Sequence, residues 1–333
     1  MKPKVKTYIQ TFIFLAIGIF LIFWFVNKLS PAERSEIWQY FKEANPLWLL
    51  VAMIVGVFSH IFRALRWNLL IESVATKPNV KNTFWAVMVG YLVNYAVPRL
   101  GEITRCAVLG KKEKIPVDTV LGTMISERLF DMLCYVVIFV LAFIALTAKM
   151  IAFLDNYQTP SFISWNFALI VLLALIALFI AYKLWRRHKP TSKLGQKISA
   201  SIHRFIDGGK SIINLKKKWL FILYSILIWV CYLLMTYIAF LTIDATYHLP
   251  LGAAFAVLAL GTIGMLIIQG GIGVYPIIVS QVLLLYGVDK VGGYSLGWIS
   301  WTIQTVIVII LGLIGFIMLS QKKNHEQITD IKE

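Results

Sequence analysis

The chain has 333 residues, 59% of them hydrophobic and only 14% charged, and its mean hydropathy is +0.78, far from the roughly half-apolar, quarter-charged mix of soluble domains. That composition excludes an ordinary soluble enzyme and makes lipid the solvent of most of the chain. A net charge of +16 would suit a nucleic-acid binder, but here lysine and arginine cluster between long apolar runs, where they record orientation across a membrane, so no nucleic-acid partner is expected.

A spanning helix needs about 20 apolar residues, and six segments qualify: 8–26, 46–62, 132–154, 162–182, 219–243 and 296–320. The first follows Lys2, Lys4 and Lys6 and ends in Val26-Asn27-Lys28-Leu29. With no small-x-small cleavage site there, it reads as a retained span and not a signal peptide. Next comes SPAERSEIWQYFKEAN, in which Ser30 can cap a helix, Pro31 can start it and Glu33 can complete a capping box. Ile37, Tyr40 and Phe41 suit a helix lying at the membrane interface.

Residues 183–218 carry eleven Lys/Arg against one acid, Asp207, which makes this loop cytoplasmic. Counting spans outward from it puts the N-terminal lysines, Lys322 and Lys323 inside as well. Two apolar stretches remain, both interrupted by proline. Residues 82–97 are followed by Pro98-Arg99 and then 100–110, while 250–269 are followed by GGIGVYP and 277–286. The first is flanked on both sides by basic residues (Arg63, Arg66, Lys77 and Lys81 before, Lys111, Lys112 and Lys114 after), so it enters and leaves on the cytoplasmic face. The second begins and returns outside. The expectation is an all-α polytopic bundle with six spans, two re-entrant broken hairpins, and both termini inside. It is one membrane domain over 1–333, with halves at about 1–154 and 155–320, the basic loop 183–218, and a short tail 321–333. Paired, interrupted segments of opposite sense are the pattern of inverted-repeat transporters.

The residues that should not lie in hydrocarbon mark the candidate site. Arg99, Glu102 and Arg105 follow the first break at three-residue intervals, roughly on one face of the returning helix. With Pro98 as its first residue, that helix would point free N–H groups at the apex, an anion site suited to phosphate. The same arm could instead lie shallowly, with Arg99 and Arg105 snorkelling to the interface. Glu127, Arg128 and Asp131 open the third span. Glu127 and Asp131 share a face at i, i+4, so they need a cation between them, and Arg63, Arg66, Arg99 or Arg105 could supply it. Asp131 is interfacial if the span ends at Leu154 and lies in hydrocarbon if it ends at Thr147. Arg63, Arg66 and Trp67 close the second span, where arginine and tryptophan ordinarily anchor a helix, and are secondary candidates. Asn94 and Pro98 at the first break, with Gln269, Gly270, Gly271, Gly273 and Pro276 at the second, are expected to line a cavity, since exposed backbone at membrane depth needs one. Close helix packing at small residues is the alternative for the glycines.

Catalytic motifs are absent from the sequence. The five histidines form no HExxH pair, and there is no GxSxG, P-loop or dinucleotide fingerprint. Cys106, Cys134 and Cys231 are flanked by apolar residues and form no CxxC pair, so they read as small core residues. No catalytic residue, cofactor or metal is expected.

Together FRALRWNLLI, NYAVPRLGEITRCAVLGKKEKIP, LGTMISERLFD and QGGIGVYP resemble the flippase-like membrane family that includes the N-terminal membrane region of bacterial lysylphosphatidylglycerol synthases. The resemblance covers about 46–320, and its PRLGE and ERLFD blocks are the specific part. It implies a domain that moves a phospholipid or another lipid between leaflets, with Arg99, Glu102, Arg105, Glu127, Arg128 and Asp131 in the characteristic motifs, in a bacterial or archaeal membrane. About a dozen residues follow Ser320, so lysine transfer from tRNA does not carry over. The reading is a lipid flippase or transporter of the bacterial cell membrane, whose partners are membrane lipids with an anionic headgroup. Its rivals are a membrane-embedded transferase using Glu127 or Asp131 as base, and a noncatalytic partner docking a separate lipid-modifying enzyme through 183–218.

Overall fold

The computed structural model of the chain describes residues 19–20, 22–27, 29–97, 99–155 and 215–320. Among these residues there is no strand. The helices are α1 (Pro31–Glu43), α2 (Pro46–Glu72), α3 (Val80–Ala96), α4 (Leu100–Glu113), α5 (Val117–Asp155), α6 (Lys218–Phe240), α7 (Leu251–Ile267), α8 (Val274–Leu284) and α9 (Lys290–Ser320), with one 3-10 turn at Gln269–Gly271. Four segments are long and apolar enough to cross a membrane: Pro46–Glu72, Val117–Thr147, Lys218–Phe240 and Lys290–Ser320. They coincide with four of the six expected spans. Residues 162–182, 8–18 and 21 of the first expected span, most of the basic loop and the tail 321–333 lie outside the described residues.

Local chemistry starts these helices as anticipated at α1. The Ser30 hydroxyl accepts from the Glu33 N–H at 3.2 Å, and the Glu33 carboxylate accepts from the Ser30 N–H at 2.6 Å, a complete capping box with Pro31 in the first turn. Ile37 packs against Phe25, Leu29 and Tyr294. The third span differs from expectation: α5 begins at Val117, well before residue 132, because the charges taken to open the span are satisfied by other helices and the helix runs straight through them. Asp131 therefore sits near the middle of the segment Val117–Thr147.

Besides α1, four helices are short. α3 and α7 have 17 residues each, α4 has 14 and α8 has 11, and at about 1.5 Å per residue none reaches the roughly 30 Å of a hydrocarbon core. They form two hairpins, α3–α4 and α7–α8, laid against the long helices α5 and α9. Along α9, α3 covers the C-terminal half: a Cβ on Gly315 would meet the Trp85 carbonyl at 3.0 Å, and one on Gly312 would meet Leu92 Cβ at 2.6 Å. α8 covers the N-terminal half, with Pro276 against Gly297 and Ser280 against Gly293. Along α5 the same pattern recurs. α4 lies on its N-terminal half, through Cys106 on the Val120 carbonyl and Arg105 on Glu127, and α7 on its C-terminal half, through Tyr135 on the Ala259 carbonyl and Ala145 against Gly252. Each long helix thus carries one arm from each hairpin, end to end. α2 and α6 pack antiparallel at the centre, tied at one end by Asn45 N–H on the Thr242 carbonyl at 2.8 Å and at the other by Lys217 and Glu72 at 2.7 Å. The set α6–α9 repeats the packing of α2–α5.

One end of the bundle gathers the C-terminal ends of α2, α4 and α9 and the N-terminal ends of α3 and α6. There Asn82 meets Glu113, and Lys112 donates to the Leu319 carbonyl. That end carries Lys77, Lys81, Lys111, Lys112, Lys114 and Lys216 to Lys218.

Candidate functional site

Three helices bring their charges together beside the first hairpin. Arg63 and Arg66 stand one turn apart on α2, Arg105 is on α4, and Glu127 and Asp131 are one turn apart on α5. Arg63 Nη1 lies 2.9 Å from Glu127 Oε1 and 2.8 Å from Asp131 Oδ2. Arg66 Nη2 lies 3.2 Å from Glu127 Oε1 and 2.6 Å from Asp131 Oδ1. Arg105 Nη2 takes the other Glu127 oxygen at 2.8 Å. Two guanidiniums thus bridge the acid pair, which is how like charges at i, i+4 are tolerated. Arg63, Arg66, Arg105 and Glu127 are fully buried, and the Asp131 side chain nearly so. Charged groups at mid-membrane cost about 2.5–3.5 kcal/mol each by insertion scales unless partnered, and here every carboxylate oxygen of the acid pair has a guanidinium.

The surroundings hold the arginines in place. Tyr232 on α6 accepts from Arg63 Nη2 at 3.1 Å and Ser225 accepts from Arg66 Nη1 at 3.2 Å. The Arg105 guanidinium lies 4.4 Å from the Trp67 ring centroid, within cation–π range, and Trp67 Nε1 donates to Thr123 at 3.0 Å. The shell is incomplete in one respect: Arg105 Nη1, together with the Nε of Arg63, Arg66 and Arg105, is buried without a hydrogen-bond partner. Three buried cations face two carboxylates, leaving one positive charge in excess. At the rim, Arg128 Nε pairs with Glu102 Oε1 at 3.2 Å, and Arg128 Nη1 stands 4.0 Å from Asp131.

The anchor role expected of Arg63, Arg66 and Trp67 is corrected: all three are buried. Their helix continues past them to Glu72, so they lie inside the bundle and not at its end. Of the cations considered for the acid pair, Arg63, Arg66 and Arg105 serve. Arg99 does not; it is exposed, forms no ion pair among the described residues, and caps α4 with φ 65°. Leu100 is thus the first helical residue, and Pro98 lies outside the described residues. The free helix terminus expected there is also partly spent. The Leu100 N–H donates to the Val97 carbonyl at 3.3 Å and the Gly101 N–H to Asn94 Oδ1 at 2.8 Å. A side chain on Gly101 would run into the Gly90 carbonyl, which is how close the two arms approach.

At the second break Gly270 and Gly271 have φ 70° and Gly273 φ 75°, conformations open to glycine and strained for other residues. The Gly270 carbonyl accepts from Trp301 Nε1 at 2.6 Å, which gives this irregular backbone group a hydrogen-bond partner inside the bundle. Pro276 falls in the first turn of α8, where its missing N–H is harmless. Gln269 belongs to the 3-10 turn. A small cavity beside this break is lined by Thr236, Tyr275, Ser300 and Gln304. Sequence reasoning missed Ser225 and Tyr232; their seven-residue spacing on one face of an otherwise apolar helix was the available signal. Among the described residues no three His, Cys, Asp or Glu side chains gather to hold a metal ion.

Span-length helices, two broken hairpins and a buried ion-pair cluster define a multi-pass membrane protein. The chain belongs to the family described as the lysylphosphatidylglycerol synthase TM region, which matches residues 11–312. It is 23% identical to a UPF0104 membrane protein of Pyrococcus horikoshii over 96% of this chain and 98% of that one. A UPF0104 membrane protein of Methanothermobacter thermautotrophicus is 21% identical over 92% of each chain, and one of Methanocaldococcus jannaschii is 28% identical over 42% of this chain and 41% of its own. No solved structure matches.

Proposed function

We propose that the protein is a lipid transporter that moves an anionic lipid headgroup between leaflets at the Arg63, Arg66, Arg105, Glu127 and Asp131 cluster, in the cell membrane of a bacterium or archaeon. The observation that carries this is the excess buried positive charge with Arg105 Nη1 unpartnered. A buried cation set with one unmatched charge and a free donor favours an anion, and guanidiniums suit phosphate oxygens. Buried ion clusters are a poor source of stability compared with apolar packing, so a ligand role gives this one a reason to exist. In this reading the two hairpins enter from opposite faces, six spans leave both termini with the lysine-rich end inside, and the breaks lie near the midplane. The short arms, their end-to-end stacking and the repeated packing of α2–α5 in α6–α9 support it.

Leaflet-resolved movement of labelled phosphatidylglycerol in proteoliposomes tests the proposal. The protein should accelerate exchange over empty vesicles, and Arg105→Gln should lower that rate while folding is retained. An exchange rate equal to that of empty vesicles, with folded protein present, refutes it.

A further inference from the structure

The two places where collinear half-helices meet are not alike. Along α9, the end of α3 and the start of the second break touch: a Cβ on Gly270 would meet Tyr95 Cε1 at 3.2 Å. Tyr95 OH lies 3.3 Å from Thr305 Oγ1, and Trp301 closes on the Gly270 carbonyl. That junction is sealed by three side chains. Along α5, the end of α7 faces the start of α4. Extending the antiparallel register from Ala259 beside Tyr135 and Ile138 brings Leu266 about level with Asp131. Here the ends are bare. Leu266 is 74% exposed and Ile267 59%, and across the break Arg99, Leu100 and Ile103 are exposed too.

The same surface holds an ion pair near mid-span whose two side chains are both about a third exposed. Glu102 and Arg128 side chains are 31% and 35% exposed, set among exposed Ile103, Ile125 and Met132. Hydrocarbon alone does not favour such charges, and water alone does not favour the isoleucines and leucines around them. An amphiphile satisfies both. We infer that the gap between Ile267 and Leu100 on the α5 face is a lateral mouth through which a lipid headgroup passes from the bilayer to the buried cluster, its acyl chains lying on Leu266, Ile267 and Ile103, with the Glu102–Arg128 pair as latch. The inference rests on the transporter reading for the cluster it leads to. The latch is weak enough to open, since partly exposed pairs contribute little, and Arg128 has a second partner within reach in Asp131, 4.0 Å away.

The test uses the full chain in phosphatidylglycerol vesicles doped with a phospholipid bearing a benzophenone on its headgroup. After irradiation, crosslinks are mapped by mass spectrometry. They are expected on residues 99–106 and 262–268, and not on the lipid-facing middle of α6 around Val230, which lies at similar depth. Glu102→Gln should raise the yield at the mouth by about two- to fivefold, the shift expected from losing a partly exposed ion pair, and the exchange Glu102→Arg with Arg128→Glu should return it toward the original value. Crosslinks confined to the two ends of the bundle, around Lys112 and Lys217 or around Asn45 and Thr242, or equal yield at Val230, overturn the mouth. Yields unchanged in Glu102→Gln overturn the latch. The same vesicles score lipid exchange, so exchange without crosslinks at the mouth removes the mouth alone, and crosslinks without exchange remove the transport reading alone.

Discussion

At Glu127, one carboxylate meets three guanidiniums: Arg63 and Arg66 on one oxygen and Arg105 on the other. Removing it strands buried positive charge, so Glu127→Ala should destabilise the protein by about 3–5 kcal/mol, measured by denaturation in detergent. Arg105→Ala should destabilise too, and the double variant should be less damaged than the two losses added together, because the second change removes a charge the first left unpaired. Strict additivity would mean that the two do not act as a pair. Arg99 predicts the opposite balance of stability and activity. Its φ of 65° is a left-handed conformation costing about 1–2 kcal/mol in a residue with a Cβ, and strain of this kind collects at functional positions. Arg99→Gly should therefore fold at least as stably as the native protein while transporting lipid more slowly. Arg99→Lys should fold normally and also transport more slowly, since lysine lacks the planar fork that grips two phosphate oxygens. Native transport rates in both would leave Arg99 with no headgroup role.

The helices show how half-length elements are held inside the bundle without lengthening any of them. α3 and α8 lie in line on α9 because glycines at 293, 297, 312 and 315 let backbones approach where a side chain would collide. In lipid, where apolar surface gains little by leaving solvent, such close packing is a main source of helix association. Gly312→Ala places a methyl group 2.6 Å from Leu92 Cβ and should destabilise by about 1–3 kcal/mol through overpacking. Gly122→Ala, whose Cβ would meet nothing within 4 Å, is the matched control and should be neutral or slightly stabilising, as alanine favours helix. Equal thermal stability of the two variants in detergent would argue against the close approach of α3 and α9.

For the molecule as a whole, the lysine-rich end at Lys77, Lys111, Lys114 and Lys216 and the opposite junction of Asn45 with Thr242 define an axis that the transporter reading sets across the membrane, lysines inward. Single cysteines on a background lacking Cys106, Cys134 and Cys231 should show this. Lys114→Cys should be protected from an impermeant thiol reagent in intact cells and Asp244→Cys modified. The reverse labelling would invert the orientation and with it the opposed senses of the hairpins. Hydropathy, charge flanks and helix-breaking residues were enough to anticipate an all-helical membrane protein and four of its long helices, because each of those depends on a local run of side chains meeting one solvent. The capping box at Ser30 was legible for the same reason. The partners of Glu127 and Asp131 were narrowed to four arginines, but which three close on them depends on how α2, α4 and α5 cross. Arg63 and Arg66 were misread as anchors because an arginine near the end of an apolar run looks the same from either side of a bundle; only the helix running on to Glu72, with α5 and α6 packed against it, buries them. Likewise, the sealed junction on α9 arises from residues as far apart as Tyr95 and Thr305, and the bare one on α5 from the distant ends of α7 and α4. Sequence spacing carries information along one helix, and the choice between a closed and an open break is made by which helices meet there.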